Sequence, residues 1–112
     1  MQSLVPEFLR PELPVNTEYV PGTSVAAWCF AEGLPLVFEV FARSAGSYGA
    51  KCQAWVAFRD AGSNVHAHSW YEIAFPSPFV AESLGEAKHL VEAVAATHSL
   101  ALEPWVLHGQ SL

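Results

Sequence analysis

Three successive runs of this chain alternate their side chains with the two-residue period of a β-strand. From Leu36 to Arg43, Leu36, Phe38, Val40 and Ala42 fall on one side, and Val37, Glu39, Phe41 and Arg43 on the other. From Lys51 to Arg59, Cys52, Ala54, Val56 and Phe58 oppose Lys51, Gln53, Trp55, Ala57 and Arg59. From Val65 to Phe75, an apolar set (Val65, Ala67, Tyr71, Ile73 and Phe75, with Ser69) opposes His66, His68, Trp70 and Glu72. A fourth run, Ser24 to Phe30, precedes these three and closes on Ala31-Glu32-Gly33-Leu34-Pro35. The loop from Ser44 to Gly49, Asp60-Ala61-Gly62-Ser63-Asn64 and Pro76-Ser77-Pro78 punctuate the rest. Such short connections favour hairpins, and the four runs are expected to form an antiparallel meander.

A helix should follow. Ser83 with Glu86 three residues on is a capping box, in which each side chain satisfies a free backbone donor at the helix start. Ala87, Leu90, Val91, Val94 and Ala101 keep helical spacing and are expected to face the sheet, with Glu86, His89, Glu92 and Ala96 outside. The helix is expected to run from Ser83 to about Leu100, and the small residues from Ala93 to Ala96 suit close approach to a sheet. Glu103-Pro104 breaks the pattern, leaving Trp105-Val106-Leu107 as a short edge strand or a packed tail. Residues 1–23 carry Pro6, Pro11, Pro14 and Pro21 and read as an extended arm lying against the domain or a neighbouring subunit. The expected fold is therefore α+β over residues 24–112: a four-stranded antiparallel meander packed on one C-terminal helix.

Composition bounds what such a domain does. Its 112 residues suffice for one core without a metal or disulfide staple. Hydrophobic residues make up 52% of the chain and charged ones 14%, so apolar side chains remain beyond those one small core absorbs. With 11 acidic residues against 5 basic ones, the formal charge is −6, and no basic run is present to neutralise a duplex backbone. Met1-Gln-Ser-Leu-Val-Pro-Glu lacks the basic start and apolar run of a secretion signal, and no stretch is apolar enough to span a membrane. Cys29 and Cys52 sit in separate strand runs and are expected to be buried thiols in a reducing cytoplasm.

The helix covers one face of the meander. The other collects Phe41, Trp55 and Trp70 as its apolar centre, with Glu39, Arg43, Lys51, Arg59, His66, His68 and Glu72 around them. Tryptophan and arginine most often anchor protein interfaces. The first expectation is thus a small acidic protein-binding module of inhibitor, immunity, anti-defence or adaptor type, homodimerisation included. Its binding residues would be Phe41, Arg43, Trp55, Arg59, His66, His68, Trp70 and Glu72.

Two other chemistries use the same face. His66 and His68 with Glu72 could share a metal or act as an acid–base pair in a small enzyme. No third ligand, nucleophile or oxyanion motif accompanies them, so no cofactor and no catalytic residue is assigned. Single-stranded nucleic acid could stack on Trp55, Trp70 and Phe41, with Arg43, Lys51 and Arg59 tracking phosphates, against an unfavourable net charge. The strand–strand–strand–helix order from Leu36 to His98 is similar to the later part of a double-stranded-RNA-binding domain in element order alone. Where that family needs a lysine-rich helix start, this chain has Ser83-Leu84-Gly85-Glu86.

Overall fold

A computed structural model of the chain describes residues 19–43, 46–59, 65–75 and 79–107; of residues 56–59 and 65–69 it describes the backbone. The extended-arm reading of residues 1–18 lies outside this description. The elements are β1 (Val25–Phe30), β2 (Leu36–Ala42), β3 (Tyr48–Arg59), β4 (Val65–Ile73), α1 (Leu84–Thr97) and β5 (Val106–Leu107). They form an α+β fold with one antiparallel sheet in the order β4-β3-β2-β1-β5. Among the described residues the sheet has five strands rather than four. Val106 and Leu107 pair with Trp28 and Ala27 at the β1 edge, the first of the two roles their sequence allowed.

The meander register follows the alternation. Phe38 lies opposite Cys29 on β1 and Cys52 on β3, and Cys52 lies opposite Ile73 on β4, so one face accumulates their apolar side chains. β3 begins at Tyr48, inside the stretch expected to be loop, because Ala42, Phe41 and Val40 pair with Tyr48, Gly49 and Ala50. Gly33 (φ 73°) and Gly46 (φ 78°) take the left-handed conformation in the β1–β2 and β2–β3 turns.

Connections on either side of α1 bind it to the sheet. Ahead of it, Ala81 and Tyr48 exchange backbone hydrogen bonds of 2.8 Å; behind it, Glu32 N–H donates to Ala101 (2.8 Å) and Glu103 N–H to Phe30 (2.8 Å). Ser83 caps α1, its Oγ accepting from Glu86 N–H at 3.1 Å, while Glu86 Oε2 accepts from Glu82 N–H at 3.3 Å. The reciprocal cap forms one residue earlier than the standard box. At the other end Ser99 enters the left-handed region (φ 59°), Leu100 N–H reaches Ala95 O at 2.9 Å, and Ser99 N–H reaches Ala96 O at 3.0 Å. This is a Schellman stop with serine where glycine is usual. It ends the helix before Leu100 and leaves Ala101 outside it.

The core lies between α1 and the sheet: Leu36, Phe38, Val40, Cys52, Ala54 and Ile73 below, Ala87, Val91 and Ala95 above. Phe75 closes one end, its ring edge-on to Phe38 (6.4 Å) and Phe79 (5.8 Å). Two expectations about this side are corrected. Leu90 is 36% exposed, because α1 packs over β2 and β3 along the narrow stripe Ala87–Val91–Ala95, and Leu90 lies to its flank. Tyr71, assigned to the covered face, is 39% exposed on β4, outside the pair of strands the helix crosses.

Candidate protein-binding face

The face of the sheet turned away from α1 is built by register. Trp28 lies opposite Glu39 and Glu39 opposite Lys51; Phe30 lies opposite Val37 and Val37 opposite Gln53. Gln53 lies opposite Glu72, and Trp55 opposite Trp70. A register shift between Val25 and Ala27 brings Val25 onto this side as well, where it joins Trp28 and Val37 in a second, smaller buried cluster. The contribution of β1 was readable in the sequence: Trp28 and Phe30 alternate with Ala27, Cys29 and Ala31 just as the later runs do.

Tyr19 divides the face into two parts. Its ring lies 5.6 Å from Trp28, 5.8 Å from Phe30 and 5.6 Å from Trp70. Its hydroxyl donates to Glu39 Oε2, and Gln53 Nε2 donates to Glu39 Oε1 at 3.0 Å. Glu39, expected on an open surface, is therefore buried at 3% exposure, and both its oxygens are hydrogen-bonded. Burial, reinforced by the hydrogen bond and negative charge of Glu39, pushes the Tyr19 phenol well above its ordinary range and keeps it a donor. The inner part of the face is thus a small core with a carboxylate in its floor.

The outer part of the face carries the remaining aromatic side chains. The Trp55 and Trp70 rings meet at 5.3 Å, both half-buried. Phe41 lies across Gly49 on the next strand, and a β-carbon at Gly49 would come within 2.6 Å of the Phe41 ring tip. Two cations flank the same ring, Arg43 at 5.0 Å and Lys51 at 5.1 Å from its centroid. Lys51 also reaches Glu72 at 3.8 Å, an exposed pair of small energetic weight. Phe41, Trp55 and Trp70 consequently form two aromatic patches bordered by Arg43, Lys51 and Glu72.

Arg59, His66 and His68 take their places in β3 and β4 by backbone, and their side chains lie outside the described residues. Ala57 pairs with His68 and Phe58 with Ala67, but Arg59 then pairs with Val65. The shift inserts one extra residue into β4 at His66. The strict alternation that grouped His66 with His68 and Glu72 is interrupted there. Cys29 and Cys52 are buried and unlinked; burial pushes both thiols up to about 12, so neither is a ready nucleophile.

Among the described residues no helix is long and apolar enough to cross a membrane. No protein-family profile, no curated protein and no solved structure matches this chain, and its function is read from the geometry of this face.

Proposed function

We propose that this protein is a small binding module that recognises another protein, or a second copy of itself, through the outer aromatic face. The observation that carries this reading is the pairing of half-buried Trp55 and Trp70 on the same sheet face as a Phe41 ring with two cations over it. Aromatic anchors with a charged border are what protein interfaces concentrate at their centre and rim. Inhibitor, immunity and adaptor proteins act through such surfaces without catalysis, and the neutral, buried state of both thiols agrees with a non-catalytic role. Unlinked buried cysteines also suit a reducing compartment, and we place the binding in the cytoplasm.

The test is affinity capture with the intact chain, run beside the Trp70→Ala variant and with light scattering on the purified protein. A stoichiometric protein partner, or a dimer, that is lost in Trp70→Ala supports the proposal. Equal retention by both forms, or a monomer that retains nothing, overturns it.

A further inference from the structure

The Tyr19 position has the composition of a receptor site for a cation. Three aromatic centroids, those of Trp28, Phe30 and Trp70, lie 5.6, 5.8 and 5.6 Å from the Tyr19 ring centre. A cation is attracted to an aromatic ring when it lies over the ring face within about 6 Å of the centroid, and a group at this position meets that distance for all three rings. The floor beneath is Glu39, 3% exposed, whose two hydrogen-bond donors among the described residues, the Tyr19 hydroxyl and the Gln53 amide, are both neutral. A buried carboxylate is better compensated by a charged donor than by neutral ones. Lys51, cross-strand neighbour of Glu39, is directed instead to Glu72 and the Phe41 ring.

The residue that fills this position is attached to the sheet by its side chain. Tyr19 belongs to the irregular stretch ahead of β1, Val20 beside it is 83% exposed, and a Val25 N–H to Gly22 O bond of 3.1 Å closes the turn into the strand. Lifting Tyr19 breaks no strand pairing; it vacates a space walled by three rings over a carboxylate.

We propose that this space is the anchor pocket of the binding face, that it takes a cationic side chain or alkylammonium group, and that Tyr19 occupies it in the free protein. The inference rests on the protein-binding reading and deepens it by naming the chemistry the partner supplies. An ammonium or guanidinium entering the space would donate to Glu39 Oε2 in place of the phenol, while a fully alkylated ammonium would be held by the rings and the carboxylate charge.

Choline and its neutral tert-butyl isostere are the probes, with tryptophan emission as the readout and circular dichroism to establish folding. In Tyr19→Gly, choline should give a saturable emission change, at least about tenfold tighter than in the intact chain, where Tyr19 competes (tenfold corresponds to about 1.4 kcal/mol). Adding Glu39→Gln should abolish the response, and the isostere should give none. Equal binding of choline and isostere, or no response in folded Tyr19→Gly, overturns the proposal. A measurement on the intact chain needs no variant: choline, unlike its isostere, should shift the indole N–H resonances of Trp28 and Trp70 and speed exchange of the Tyr19 amide. Identical spectra with the two probes overturn the proposal. A partner captured by the intact chain and by Glu39→Gln alike, in the absence of any choline response, overturns the cation pocket and leaves the protein-binding face standing.

Discussion

Replacing Val91 and, separately, Leu90 with alanine tests the orientation of α1 against the sheet. Val91 is 0% exposed, in the middle of the Ala87–Val91–Ala95 stripe and above a sheet floor that includes Phe38. Val91→Ala deletes two buried methyl groups. At about 0.8 kcal/mol of transfer free energy each, plus a cavity contribution, the loss should be roughly 2 to 3 kcal/mol. The neighbouring alanines have little side chain with which to close the gap, which offsets the helix propensity gained by replacing a β-branched residue. Leu90 is larger but 36% exposed, so the atoms that Leu90→Ala removes are already partly hydrated and their loss leaves no closed cavity. Its cost should stay within about 1 kcal/mol. Urea denaturation followed by circular dichroism measures both, with an unchanged m-value in each case. A larger loss for Leu90→Ala than for Val91→Ala would mean that α1 is rotated about its axis and that the stripe facing the sheet is misassigned.

Several other perturbations have defined outcomes. Ser83→Ala removes the acceptor of Glu86 N–H and should cost about 1 kcal/mol in the same denaturation experiment. Ser99→Gly should raise stability by about 0.5 to 1 kcal/mol, because residue 99 sits at φ 59°, where a β-carbon is unfavourable. Both thiols ionise near 9 when exposed and near 12 when buried, so above pH 9 the unfolded chain holds fewer protons than the folded one. Stability should then fall between about pH 9 and 12, by at most about 1.4 kcal/mol per pH unit for each thiol, and substituting Cys52 by Ala should reduce the slope. Gly49→Ala should cost about 1 kcal/mol and swing Phe41 off its strand, seen as loss of the ring-current shifts on the Arg43 and Lys51 side chains.

Period-two alternation carries local information, and the features it governs were legible in the sequence: the four meander strands and the apolar side of Phe38, Cys52 and Ile73. The cap at Ser83 was legible for the same reason, since both its members lie within one turn. Features decided by tertiary contact were not. Leu90 has helical spacing equal to that of Val91, and where the sheet lies under α1 decides between them. Ser99 stops the helix through a backbone conformation that a serine does not announce. The burial of Glu39 depends on Tyr19, twenty residues earlier and outside any strand, and on Gln53 of the adjacent strand. The extra residue at His66 breaks an alternation that looks continuous on paper. For the candidate site, alternation brought Phe41, Trp55, Trp70, Arg43 and Glu72 to one face and would have added Trp28 and Phe30; Tyr19, from outside any strand, had no such signal.

The most direct test of the binding face is the affinity of Trp55→Ala for the protein that the intact chain captures, measured by titration calorimetry beside a denaturation curve. Trp55 is the member of the tryptophan pair outside the Tyr19 cluster, so its loss separates binding from folding better than that of Trp70. The expected result is a loss of about 2 kcal/mol or more in binding free energy, roughly thirtyfold in Kd, with a smaller change in folding stability. Undiminished affinity in a folded Trp55→Ala protein would contradict the assignment of this face.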